Sequence, residues 1–376
     1  MLRIIKVVKN ENKVKKGERY MSFHEEKRES IKRYMLEKIR MGDQQYLQKT
    51  MENFQISATT VKRYIQECLD NGILCFQPES DPKYQLQEVK TKLSFQLDGE
   101  MNEDQIFFER IESLLSGNST ESVRIWGYTF MEIMNNAIEH SRGTQINCIV
   151  KKDYLYTEIS ILDDGIGIFK NIQNFLEKEL GRKSSYQDVL TELYKGKLTT
   201  NRENHSGEGI FFTSKILKEF AIWSDNTIFS QGFYDRQKLI QSHLIAYYTR
   251  LEKIGTMVVM KLENHTTRKI EEVFNMYAPI EEGFVRTCIP IKEVCPYGEP
   301  IARSQARRIL YRLEEFKYIE FDFAGVDFMG QGFADEVFRV FQNKNPHIEL
   351  IPVNACATVL GMVKHVRMNL KQESIV

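Results

Sequence analysis

Glu132 and Asn136 stand four residues apart in Met131-Glu132-Ile133-Met134-Asn135-Asn136-Ala137-Ile138-Glu139-His140-Ser141. On a helix that spacing projects both from one face, while Trp126, Phe130, Ile133, Met134 and Ala137 can pack inward. A carboxylate and a carboxamide thus share one edge. A second group follows in Asp163-Asp164-Gly165-Ile166-Gly167-Ile168, where an acidic residue at a strand end precedes two alternate glycines. The carboxylate can accept a hydrogen bond there, and glycine lets the backbone come close to a ligand. A third group, Ser206-Gly207-Glu208-Gly209-Ile210, opens an apolar helix and so offers free N–H groups to a phosphate. Gly255-Thr256 starts the run Met257-Val258-Val259-Met260.

The elements that must position these groups alternate between helix and strand. A helix is expected over Glu121–His140, with strand-like runs at Gln145–Lys151, Leu155–Asp163, Ala221–Trp223, Leu244–Tyr248 and Thr256–Leu262. Such alternation predicts an α/β sandwich. Between the glycine groups lies the polar stretch Lys195-Gly196-Lys197-Leu198-Thr199-Thr200-Asn201-Arg202-Glu203-Asn204-His205. His140, one turn beyond Asn136, reads as a polar partner at the helix end.

These four groups, in this order, resemble the N, G1, G2 and G3 boxes of the Bergerat-fold (GHKL) ATPases, over about residues 98–266. The resemblance implies ATP and Mg²⁺ as cofactors. Asn136 would hold the metal, Asp163 the adenine amino group, Gly165 and Gly167 the close backbone approach, Gly207 and Gly209 the phosphate, and Thr256 a water-mediated adenine contact. The polar stretch resembles an ATP lid, with Lys197 and Thr199 as phosphate contacts. Glu132 would be the general base that ATP-hydrolysing members and serine kinases of this superfamily keep.

Two flanking segments read differently. Over residues 21–92 the pattern is helix, helix, turn, helix, hairpin: Glu25–Arg40, Gln44–Phe54, a helix capped by Ser57 and stopped at Asn71-Gly72, then strands Ile73–Phe76 and Tyr84–Val89. This resembles a winged helix-turn-helix whose recognition helix exposes Thr59, Thr60, Lys62, Arg63 and Tyr64 to DNA. After a linker at 267–283, residues 284–376 alternate strand and helix again. There Glu320-Phe321-Asp322-Phe323-Ala324-Gly325-Val326-Asp327-Phe328-Met329 resembles the STAS-like domains related to anti-anti-sigma factors. Those carry a phosphorylatable serine opening the next helix; here Met329-Gly330-Gln331-Gly332 has no hydroxyl.

The expected fold is therefore multidomain α+β: a winged helix, a Bergerat sandwich and a STAS-like α/β domain. Composition agrees with a folded chain of several domains, since 376 residues are 42% hydrophobic and hold only 8 Pro. Lys+Arg and Asp+Glu are both 52, which excludes a uniformly basic nucleic-acid binder. The one charge asymmetry is residues 1–20, with seven basic and two acidic side chains, a net of +5. Six scattered cysteines without CxxC exclude a zinc or disulfide framework, and no run approaches the roughly 20 apolar residues of a membrane span. A cytoplasmic setting is expected. The functional expectation is a nucleotide-driven regulator acting on DNA or on a protein partner through the STAS-like domain, with homodimerisation compatible. The alternatives are a serine/threonine kinase of anti-sigma type and a non-catalytic, ATP-bound DNA-binding or bacterial defence module.

Overall fold

The computed structural model describes residues 25–80, 83–97, 101–181, 183–197, 208–224, 227–232, 255–295 and 298–373. The chain is α+β and separates into two compact units: Met1–Thr91 with Lys151–Thr157, and Lys92–Val150 with Glu158–Val376.

In the first unit α1 covers residues 25–40, followed by α2 (Tyr46–Phe54) and α3 (Ala58–Asp70). The antiparallel pair β1 (Leu74–Phe76) and β2 (Tyr84–Leu86) comes next, with Leu74 opposite Leu86. Ser57 caps α3 by accepting from the Thr60 N–H at 3.2 Å, and Gly72 takes φ +66° just past its end. The core joins Ile31, Met35, Leu36, Ile39, Val61, Ile65, Cys68 and Leu74 to Leu155 and Tyr156. Tyr64, expected on the exposed face of α3, is instead buried. The spacing Val61, Tyr64, Ile65, Cys68 makes one apolar stripe, and the Arg63 guanidinium lies 5.4 Å from the Tyr64 ring centroid. Thr59, Lys62 and Arg63 are exposed and Thr60 is half-buried. The basic arm, residues 1–20, lies outside the described residues.

The second unit contains a six-stranded sheet, β3 (Val89–Gln96), β4 (Gln145–Lys152), β5 (Tyr156–Asp163), β6 (Glu219–Ser224), β7 (Thr227–Gln231) and β8 (Thr256–Glu263), in the order β3-β4-β5-β8-β6-β7. β3 enters this sheet ahead of the boundary expected at residue 98. β6 runs antiparallel to both β7 and β8. With the sheet go α4 (Glu103–Ile106), α5 (Thr120–His140), α6 (Ile168–Leu180), α7 (Tyr186–Lys195) and α8 (Gly209–Ile216). Trp126, Phe130, Phe169, Phe211, Phe212 and Phe220 are fully buried between them. The strand expected at Leu244–Tyr248 lies outside the described residues.

The segment expected as a linker contains α9 (Ile270–Tyr277). Ile270, Val273, Phe274 and Tyr277 recur at helical spacing, and Phe274 stacks on Phe212 with centroids 4.2 Å apart. Beyond it β9 (Arg286–Pro290), β10 (Tyr318–Asp322) and β11 (Glu349–Val353) form a parallel sheet, order β11-β10-β9. Parallel neighbours require crossovers, supplied by α10 (Arg303–Leu310) and α11 (Gln331–Asp335), with α12 (Ala357–Glu373) following β11. α10 ends at Leu310, just ahead of Arg312 at φ +60°, and a 3₁₀ turn, Leu313–Glu315, follows. All six cysteines are free, and no described helix is long and apolar enough to cross a membrane.

Candidate functional site

A cavity of about 440 Å³ opens in the second unit, lined by residues from α5, α7, α8, β8 and the β5–α6 turn. It brings together Glu132, Asn136, Asp163, Gly167, Gly209 and Thr256, six of the residues singled out from sequence. α5 can place the first two because Ser119 caps its start and Trp126, Phe130 and Met134 bury its opposite face.

Asp163 ends β5 and is 5% exposed. Its Oδ1 accepts from the Gly165 N–H at 2.9 Å and the Thr256 N–H at 3.1 Å, while the Gly255 N–H donates to its carbonyl at 3.1 Å. Thr256 Oγ1 accepts from the Ile168 N–H at 2.9 Å, closing the turn onto β8. Burial pushes the Asp163 carboxyl above the ordinary aspartate value, and the two N–H donors oppose that shift. Asp164, its neighbour, faces the other way: Oδ1 accepts from the Thr144 and Gln145 N–H groups at 2.6 and 3.0 Å. One carboxylate fixes the turn and the other borders the cavity.

The glycines have distinct reasons. A Cβ on Gly165 would stand 2.0 Å from the Ser141 carbonyl oxygen, so its bareness admits the end of α5. Gly165 is not among the residues that line the cavity, and the close approach its bareness allows is to Ser141. Gly167 takes φ +83° at the start of α6. At Gly209, the first residue of α8, a Cβ would stand 2.1 Å from Glu132 Oε2, so the carboxylate of α5 lies against the first turn of α8. At Gly255 a Cβ would stand 2.0 Å from Asp163 Oδ1 and 2.4 Å from the Gly165 nitrogen. Gly255→Ala is therefore expected to cost about 1–3 kcal/mol of stability and to displace Asp163. Thermal unfolding without ligand checks the first part, and an unshifted midpoint contradicts it.

Lys197 departs from expectation. Rather than reaching the cavity, its Nζ donates to the Glu315 carbonyl at 2.9 Å and lies 4.3 Å from the Phe316 ring centroid. A carbonyl at the end of a 3₁₀ turn and an aromatic face together outcompete solvent for this ammonium. Thr199 and Gly207 lie outside the described residues.

Several lining residues were not foreseen, among them Tyr128, Asn171, Glu192 and Glu208. Burial drives the Tyr128 hydroxyl far above the ordinary tyrosine range, reinforced by the carboxylates of Glu132 and Glu208. It stays a protonated donor at any physiological pH. Glu208 was visible in the glycine motif itself, whereas Glu192 depends on α7, which no motif announced. Among the described residues no cluster of three or more acidic, His or Cys side chains could cage a metal ion. Mg²⁺ is usually bound through one or two carboxylates plus substrate phosphates and water; on the cavity wall Asn136 offers a carboxamide oxygen, with the Glu132 carboxylate one helical turn before it.

Comparison with protein families matches residues 305–359 to a STAS-like domain of unknown function (DUF4325). The match runs from α10 into α12, so the C-terminal part of this multidomain α+β chain is STAS-like. No curated protein matches the chain. A Cβ on Gly330, which caps α11, would stand 2.5 Å from the Ile301 carbonyl oxygen, leaving no room there for a side chain.

Proposed function

We propose that the chain is a Mg²⁺-dependent ATPase of the GHKL type whose nucleotide state switches a regulatory assembly. The observation that carries this reading is the convergence, in one cavity, of Glu132, Asn136, Asp163, Gly209 and Thr256 from four separated segments. The volume of about 440 Å³ lies within the range of small-ligand pockets. Asp163 presents a carboxylate at the buried end, suited to an exocyclic amine, while Thr256 holds the adjoining turn. Gly209 exposes the first turn of α8 toward an anion. Asn136 would hold Mg²⁺, which when bound neutralises phosphate charge. Glu132, four residues before Asn136 on the same helix, would take the proton of the attacking water.

The STAS-like domain and the exposed Thr59, Lys62 and Arg63 of α3, with the half-buried Thr60 beside them, are the surfaces through which such a protein would reach a protein partner or DNA. Incubation with Mg²⁺ and ATP labelled in its γ-phosphate is expected to release free labelled phosphate. Label retained on an added protein indicates the kinase reading instead, and tight binding without turnover indicates a structural nucleotide. Absence of binding overturns the proposal.

A further inference from the structure

The last turn of α7 has two faces. Glu192, Leu193 and Gly196 line the cavity, while the same turn meets the STAS-like domain. Thr287 Oγ1 of β9 donates to the carbonyls of Lys195 at 3.0 Å and Tyr194 at 3.4 Å. Lys197 reaches the Glu315 carbonyl, as described, and Arg308 of α10 approaches Asp188 of α7 at 3.7 Å.

Lys195 sits at the centre of this contact and is only 2% exposed. Its Nζ donates to Glu192 Oε1 at 2.6 Å and to the carbonyl oxygen of Tyr311. Withdrawing an ammonium from water costs several kcal/mol unless its protons are satisfied, and burial accordingly pulls this lysine below its ordinary range while Glu192 pulls it back. Of the two groups that satisfy it, one is the carboxylate of Glu192, a residue that lines the cavity. The other is a backbone carbonyl immediately before Arg312, a non-glycine residue at φ +60°. Nζ also lies 5.7 Å from the Tyr311 ring centroid, so both its backbone hydrogen bond and its ring contact on that side fall on Tyr311. A buried apolar residue would fill the same space without the desolvation cost.

We propose that Lys195 is a positioning residue that couples occupancy of the cavity to the STAS-like domain. Glu192 on the cavity side and Tyr311 on the other share one buried ammonium. An anionic ligand that repels or displaces the Glu192 carboxylate changes its hold on Lys195 and, through it, the backbone from Tyr311 to Phe316. The inference rests on the nucleotide reading for the ligand's identity, and it makes the β9 and 311–316 face of the STAS-like domain an internal contact rather than a free docking surface.

Hydrogen exchange on the full chain, with and without Mg²⁺ and a non-hydrolysable ATP analogue, tests this. The amides of Phe316 and Lys317 are bonded to the Leu313 and Val285 carbonyls, so their exchange can be followed. In the unaltered protein the analogue is expected to change exchange at least about fivefold, the low end of allosteric coupling, both at 165–168 and at 312–317. In Lys195→Met the first response should persist and the second disappear. If Lys195→Met does not fold, Glu192→Gln, which keeps the shape and removes the charge, is read in its place with the same expectation. A response at 165–168 alone in the unaltered protein overturns the coupling and leaves the nucleotide reading standing. No response at either place overturns both. A variant that still transmits to 312–317 removes the role from Lys195.

Discussion

Replacing Glu132 by glutamine is expected to lower ATP turnover by roughly 10²–10⁴ while changing nucleotide affinity by no more than about threefold. Glutamine keeps the shape that packs against Gly209, where a Cβ would stand 2.1 Å from Oε2, so the cavity wall persists. What is lost is a group able to take a proton. One secondary effect has a definite sign: without the Glu132 charge, Tyr128 loses one of the two carboxylates that raise its hydroxyl. Phosphate release at saturating ATP, measured beside equilibrium binding, separates chemistry from affinity. Turnover equal to that of the unaltered protein eliminates Glu132 as the base. Loss of binding in step with turnover makes it a ligand contact instead.

Asp163→Asn should do the converse. Its carboxamide oxygen can still accept from the Gly165 and Thr256 N–H groups, so the turn survives, but the second oxygen becomes an NH₂ donor. A donor facing the proposed adenine amine replaces attraction with repulsion, and loss of a hydrogen bond to a charged acceptor is worth about 1.5–3 kcal/mol, roughly 10–100-fold in affinity. Stability moves the other way. The folded Asp163 carboxyl titrates above its unfolded value, because burial outweighs its two donors. It therefore favours the fold at low pH, and that contribution is lost as pH rises from the ordinary aspartate value through the raised one. Asparagine does not titrate, so ligand-free Asp163→Asn should lose less stability than the unaltered protein across that window. Unfolding midpoints from pH 3 to 7, with nucleotide titration at pH 7, check both. Unchanged affinity rules out the adenine role, and parallel pH profiles rule out the desolvation account.

What could be read from the chain was what local spacing determines. The i, i+4 relation of Glu132 and Asn136 needs only that α5 be a helix, and its apolar face, Trp126 to Ala137, guarantees one. Asp163 followed by alternate glycines marks a strand end, and Ser57 marks a cap, because each acts on its immediate neighbours. The alternation after residue 284 was likewise periodic enough to announce a small α/β domain, though not the parallel pairing of its strands. Failures arise where a distant partner decides. Lys197 beside a glycine has the type and place of a phosphate ligand, yet a carbonyl 118 residues away takes its ammonium. Tyr64 has a polar tip, but its ring lies in register with Val61 and Cys68. Gly165 looked like an opening toward a ligand and is an opening toward Ser141. Glu192 carries no local mark, since only the packing of α7 brings it to the cavity.

One feature of the first unit governs its birth on the ribosome. Its core takes Leu155 and Tyr156 from Lys151–Thr157, far beyond the end of its main segment at Thr91. During synthesis the three helices and the hairpin emerge first and must wait for the chain to reach Thr157. At about 5–20 residues per second that interval is roughly 3–13 s. Throughout it the cluster that holds Ile31, Met35, Val61 and Leu74 lacks Leu155 and Tyr156. A polypeptide ending at Thr91 would remain in that condition permanently, with an apolar surface suited to chaperone capture.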